Sequence, residues 1–148
     1  MPNNQDFFIQ SCDAFFTLLE SLDKEKIKNN QIRKLLFSNL ENLLWILYKE
    51  DDLKFHNFIS NEVNSVVSEF KTSPAYDKFQ LVKDLNNSLR VNFKLAFHNI
   101  NSLPFFISYV LAFEKIIEID SNYFDYLKDN LNTIFNPENK RTGVRSYF

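Results

Sequence analysis

The chain has 148 residues, a formal net charge of −2, an apolar content of 45% and a single cysteine. A chain of this length forms one domain and buries roughly two thirds of the surface that its unfolded form exposes. The charge excludes the strongly basic field of an autonomous nucleic-acid-binding domain. One cysteine excludes an intramolecular disulfide framework and fits a reducing compartment, so we expect a cytoplasmic protein.

The first helix is predicted from apolar residues that recur every three or four positions after Asn3, Asn4 and Asp6. Cys12 falls within this stripe, so we expect a small buried side chain rather than a reactive thiol. The stripe of helix one comprises Phe8, Cys12, Phe15, Phe16, Leu19 and Leu22.

Helix two is predicted to begin near Asn29 or Asn30 and to bury a second stripe, made of Ile32, Leu36, Leu40, Leu43 and Leu47. At about 100° per residue, Trp45 lies on the opposite side of this helix. Tryptophan is enriched among residues that dominate binding energies, which favours a partner-binding surface. Cover by the C-terminal aromatic pair and a second packing layer within the bundle are the other interpretations. The predicted partner-binding residues are Trp45, Lys34, Glu41, Lys49, Tyr147 and Phe148.

Helix three is predicted to have a broad apolar face, and its other side carries mostly Asn and Ser. That nearly uncharged side is explained equally well by cover from another surface and by an AT-rich genome. Ser73 and Pro74 mark the start of a long helix four, with Asn86 inside its apolar arc and Arg90 at its edge. The predicted core positions of helix four are Phe79, Val82, Leu85, Leu89, Phe93, Ala96, Phe97 and Ile100.

Residues 103–119 form the most apolar stretch of the chain, with only Ser108 and Tyr109 carrying polar groups before Glu114. The stretch is too short to cross about 30 Å of hydrocarbon, so we expect the central helix of a bundle and no membrane span. Ser121 is predicted to cap a last helix that ends at Pro137. The sequence therefore predicts an all-α, single-domain bundle of five or six helices around 103–119. We expect the bundle to cover residues 1–137 and residues 138–148 to form a flexible tail.

Metal and cofactor chemistry is not predicted. His56 and His98 are the two histidines, and the chain has no Glu-x-x-His pair of the kind that holds di-iron centres in helical bundles. One cysteine is insufficient for a zinc site of known spacing. Gly143, the one glycine, does not precede a helix as a phosphate-binding loop would require.

One group of residues on helix four resembles the arginine and histidine of the small helical HEPN ribonucleases. Arg90 is followed by Asn92 and then by His98, and the resemblance implies that the arginine binds phosphate while the histidine acts as acid or base. Seven residues separate Arg90 from His98, a wider spacing than that family has. On a helix this puts the two residues about 80° and 12 Å apart.

The sequence most favours a non-enzymatic protein-interaction module, such as a small intracellular adaptor, inhibitor or complex subunit of a microbial, phage or plasmid system. A protein partner or self-association is expected, without a cofactor. The alternatives are a HEPN-like ribonuclease and a nucleic-acid-associated subunit. Phosphate contacts in that case are expected from Arg90, His98, Arg141 and Arg145, joined by Lys24, Lys26, Lys28, Arg33, Lys34 and Lys140 if the fold gathers them.

Overall fold

The structure is a computed structural model that describes residues 4–47, 53–96, 99 and 102–135. It does not describe the side chains of 4–6, 8, 44–47, 53–55, 96 and 135. The described ranges contain six α-helices and no strand, which confirms the predicted all-α class. The helices are α1 (Asn4–Glu20), α2 (Asn30–Leu47), α3 (Leu53–Thr72), α4 (Ala75–Ala96), α5 (Leu103–Ile119) and α6 (Phe124–Phe135), with 3₁₀ turns at Lys26–Lys28 and Ser121–Tyr123.

Helix α5 is the centre of the bundle, as its apolar sequence predicts. Helices α2, α3 and α4 all pack against it, and α3 and α4 make most of their contacts with α5 rather than with each other. Because three helices surround it, α5 buries side chains over most of its circumference. These are Leu103, Phe106, Ile107, Ser108, Val110, Ala112, Phe113, Ile116 and Ile117.

The other helices complete the core, for example through Leu19 of α1, Leu40 of α2 and Leu131 of α6. Cys12 is buried within the α1 stripe, as expected. The buried face of α2 is wider than predicted, because it also includes Phe37 and the charged Arg33. On α4, Phe79 is 40% exposed although the stripe assigned it to the core. The prediction that Phe79 lies in the core was therefore wrong.

Local side-chain hydrogen bonds define where several helices begin. Asn29 Oδ1 accepts from the backbone N–H groups of Gln31 and Ile32 at 2.9 and 3.1 Å, which caps α2 where it was predicted to begin. Before α6 the capping side chain is Asp120 rather than the predicted Ser121, since Asp120 Oδ1 accepts from Asn122 N at 3.0 Å. A carboxylate at this position also complements the positive end of the helix dipole.

No helix within the described ranges is long and apolar enough to cross a membrane. Residues 138–148, the predicted flexible tail, lie outside the described part of the chain. The predicted boundary between bundle and tail therefore stays a prediction.

Candidate functional site

The predicted partner-binding face of α2 is described only in part. Lys34 is exposed and Glu41 is half-buried, and Trp45 lies within α2 although its side chain is outside the described residues. Lys49, Tyr147 and Phe148 also lie outside them. A surface anchored by Trp45 thus stays a prediction from the sequence.

Glu41 contributes to an unusual electrostatic environment between α2 and α5. Burial raises the pKa of Glu114 above its ordinary value of 4.5, and the nearby carboxylates of Glu41 and Glu118 act in the same direction. Lys115 and Arg33 oppose this rise because their positive charges favour the ionised carboxylate. Glu41 therefore belongs to a cluster of charges beside the core as well as to the predicted surface.

The residues named for the nucleic-acid alternatives are only partly within the described part of the chain. The buried guanidinium of Arg33 donates to the backbone carbonyl oxygens of Ile27 and Lys28 at 3.3 and 3.4 Å, so Arg33 holds the α1–α2 connection instead of contributing to a surface. Arg90 is exposed on α4 and lines a shallow depression that also contains the carboxylate of Asp129. His98, Lys140, Arg141 and Arg145 lie outside the described residues.

A cleft between α3 and α4 is the first of two surface features that the sequence did not predict. It has a volume of about 420 Å³ and opens to solvent. The apolar part of its lining consists of Val66, Leu81 and Leu85, and its polar part consists of Glu69, Ser73, Asp77, Gln80, Asp84 and Ser88. The cleft exists because both helices pack against α5 and little against each other.

The α4 side of this cleft continues as an exposed apolar line toward the end of the helix. At about 100° per residue, Val91 and Leu95 share the face that carries Leu81 and Asp84. Val91 is 50% exposed and Leu95 is 46% exposed. We call the cleft together with Val91 and Leu95 the α3–α4 cleft surface.

The second feature is a groove on the opposite side of α4, between that helix and the start of α6. Its volume is about 510 Å³. Three aromatic rings and three aspartates dominate its lining, and Lys24 is the only cation among its described lining residues. We call it the tyrosine groove, and its lining residues are Lys24, Phe79, Asp120, Asn122, Tyr123, Asp125, Tyr126 and Asp129.

The rings of the tyrosine groove stand at different angles. Phe79 and Tyr126 meet edge to face, with centroids 5.6 Å apart and an interplanar angle of 77°. The Tyr123 centroid lies 6.3 Å from that of Tyr126. Phe70 also contacts Tyr123 edge to face, with centroids 5.7 Å apart. Burial raises the pKa of the Tyr123 hydroxyl above 10, and the carboxylate of Asp120 raises it further. The groove therefore has aromatic walls in a negative environment.

Hydrogen bonds between α4 and α6 fix the two sides of the tyrosine groove. Asn130 Nδ2 donates to the backbone oxygen and to Oδ1 of Asn86, at 2.9 and 2.8 Å. Asn86 Nδ2 in turn donates to the backbone oxygen of Tyr126 at 3.0 Å. On the other side of α6, Lys128 Nζ donates to Leu22 O at 2.6 Å. These hydrogen bonds join α6 to α4 on one side and to the segment after α1 on the other. Phe79 and Tyr126 are therefore held in their relative positions.

Sequence reasoning missed the tyrosine groove because it placed Phe79 in the core. One signal in the sequence marks only where the buried face of α4 ends, since Phe79 shares one edge of the α4 stripe with Asn86 and Arg90, within about 40° on the helix. A phenylalanine flanked by polar residues on both sides of that edge marks the boundary of the buried face. The aspartates that alternate with Tyr123 and Tyr126 are the second signal.

The described part of the chain contains no group of three His, Cys, Asp or Glu side chains that could hold a metal ion. The aspartates of the tyrosine groove thus line it without converging on one point. No protein-family model matches the chain, and neither a curated protein nor a solved structure is significantly similar to it.

Proposed function

We propose that the protein is a non-enzymatic protein-interaction module that binds an amphipathic, basic helix of a partner protein along the α3–α4 cleft surface. An adaptor, inhibitor or complex subunit would act in this way. The observation that carries the proposal is the exposed apolar line on α4, which continues the cleft through Val91 and Leu95. Exposed apolar side chains that are aligned and rimmed by polar groups are typical of interaction sites.

The dimensions of the surface favour a helix as its occupant. From Asp77 to Leu95 the α4 side is about 27 Å long, which equals five helical turns. An amphipathic helix presents apolar side chains on one face at three-four spacing, and a groove between two helices can receive that face. Leu81 and Leu85 would form its floor, and Val91 and Leu95 would extend the contact.

The charge of the cleft favours a basic helix. Glu69, Asp77 and Asp84 are exposed carboxylates on its lining, and its described lining includes no Lys or Arg. Gln80 Nε2 donates to Asp84 Oδ1 at 2.9 Å, which holds that carboxylate at the rim. Lys or Arg side chains that flank the apolar face of a partner helix would complement these charges, and complementary charges raise both the association rate and the specificity.

The test is a fluorescence-anisotropy titration with a labelled peptide of about 14 residues, four helical turns, that has Leu on one face and Lys on its flanks. The matched peptide has Glu in place of Lys. We expect binding of the Lys peptide alone, weakened by salt as exposed charge pairs are. Equal binding of both peptides, or of neither, would refute the proposal.

Two pairs of variants locate the contact. Asp84→Lys should weaken binding of the Lys peptide roughly fivefold. Glu20→Lys makes the same charge change at an exposed position of α1 and should leave binding unchanged. The double substitution Val91→Ser and Leu95→Ser should lower the affinity for the Lys peptide roughly tenfold. Ile119→Ser removes an equally exposed apolar side chain outside the cleft and is the control. Similar effects from variants and controls would place the peptide elsewhere.

The ribonuclease alternative has a separate test, because it depends on His98. If the chain cleaves RNA through Arg90 and His98, His98→Ala abolishes cleavage while the circular dichroism spectrum stays that of the unaltered chain. Under the proposed function the chain does not cleave RNA, with or without His98.

A further inference from the structure

We propose that the tyrosine groove is a binding site for an alkylated ammonium group carried on a peptide, as in a methylated lysine side chain of a partner protein. This site lies on the other side of α4 from the α3–α4 cleft surface and does not depend on the function proposed for that cleft. Its support comes from the arrangement of the rings, from the charges around them and from the exposure of the aromatic faces.

Three aromatic rings lie close together in the lining of the groove. Phe79 and Tyr126 stand at 77° to each other, and Tyr123 adds a third ring 6.3 Å from Tyr126. Phe79 is 40% exposed and Tyr126 is 36% exposed, so both rings are accessible from the groove. An aromatic face attracts a cation within about 6 Å of its centroid, and cages of several aromatic rings bind quaternary ammonium groups.

One ring of the groove already has a cation next to it in the folded chain. Lys83 Nζ lies 5.5 Å from the Phe79 centroid. Lys78 Nζ lies 5.4 Å from the centroid of Phe70, the ring that contacts Tyr123. The folded chain therefore already places positive charge beside two of these rings, and a bound ammonium group would compete with Lys83 if it approached the same face of Phe79.

The carboxylates select a cation over a neutral apolar group. Asp120, Asp125 and Asp129 line the groove, where Lys24 is the only cation among the described lining residues. With Lys83 above the Phe79 ring, three carboxylates still outnumber two cations. The carboxylates do not converge as metal ligands do. A cation held by separated carboxylates and aromatic faces has to lose much of its water shell, which costs least for a charge spread over alkyl groups. The same carboxylates repel the phosphate of a phosphocholine headgroup, which favours a peptide source over a lipid source.

The test uses the full chain and small probes, with the ring resonances of Tyr123 and Tyr126 followed by NMR. Choline should bind, and its neutral isostere 3,3-dimethyl-1-butanol should not. N-acetyl-trimethyllysine amide should bind several-fold more tightly than N-acetyl-lysine amide and than phosphocholine. Equal affinity for the methylated and unmethylated amides would refute the proposal, as would preference for phosphocholine.

Variants separate the role of the rings from a merely structural one. Tyr126→Leu keeps an apolar side chain but removes the aromatic face. It should lower the affinity for N-acetyl-trimethyllysine amide between about 2-fold and 30-fold. Tyr126→Phe keeps the ring and should retain the affinity. Asp129→Asn should weaken binding of this amide. Glu20→Gln removes the same charge at an exposed position of α1 and should leave binding unchanged. If Tyr126→Leu melts at the wild-type temperature and binds with unchanged affinity, the site does not exist.

Discussion

The central position of α5 predicts a large and specific loss of stability when one of its aromatic rings is removed. Phe106 and Phe113 are 0% exposed, and the Phe106 ring lies 5.0 Å from Phe93 of α4. Replacing a buried Phe by Ala costs about 3 to 5 kcal/mol, through lost burial and the cavity left behind. The lost ring pair accounts for about 0.5 to 1.5 kcal/mol of that cost. We therefore expect Phe106→Ala to cost about 4 kcal/mol.

That loss is measurable against a total stability of about 5 to 15 kcal/mol. For a chain of this length it corresponds to a melting temperature about 8 to 16 °C lower. The assay is urea unfolding followed by circular dichroism at 222 nm, where a slope of about 2 kcal/mol per M shifts the midpoint by roughly 2 M. Leu95→Ala, at a position that is 46% exposed, should cost less than about 1 kcal/mol. Equal losses for Phe106→Ala and Leu95→Ala would refute the assignment of α5 as the central helix.

Three further predictions address other parts of the molecule. Since the native chain holds the pKa of Glu114 above 4.5, it binds more protons than the unfolded chain, and stability falls as pH rises through the interval above 4.5. Glu114→Gln should flatten this dependence and raise the melting temperature at neutral pH, and an unchanged pH profile would contradict the reasoning. Asn130→Ala removes two hydrogen bonds to Asn86 and should cost about 1 to 2 kcal/mol in urea unfolding; no cost would mean that this link does not hold α6. If Trp45 is a partner anchor, its fluorescence in the isolated protein should be red-shifted and quenched by iodide. Blue-shifted emission that survives both dilution and removal of residues 138–148 would place Trp45 in the core.

The buried side of each helix could be predicted from the sequence because burial imposes a regular spacing on apolar residues. Leu36, Leu40 and Leu43 are buried where the α2 stripe places them. The edges of the stripes could not be predicted in the same way. Whether Phe37 is buried and Phe79 exposed depends on where the neighbouring helix lies, and a single helix does not carry that information.

The candidate surfaces were beyond the sequence for a related physical reason. The α3–α4 cleft exists because α3 and α4 both pack against α5, and the tyrosine groove exists because the two asparagines, Asn86 and Asn130, join α4 to α6. Both features are produced by relations between helices. In the sequence alone, Asp84 and Asp125 are both expected to be solvated carboxylates. The packing of the helices places Asp84 beside the leucines of the cleft and Asp125 beside the rings of the tyrosine groove.

The position of α4 relates the two proposed sites to each other. Leu81 of the cleft and Phe79 of the tyrosine groove point about 160° apart around this helix. A partner that filled both sites would have to pass around α4, whereas two separate segments could bind at once without touching. The core face of α4, which includes Val82 and Leu89, packs against α5 between the two sites and holds the helix in place. The two proposals together predict that α4 can hold two partners at once, a property that would distinguish an adaptor from a simple inhibitor.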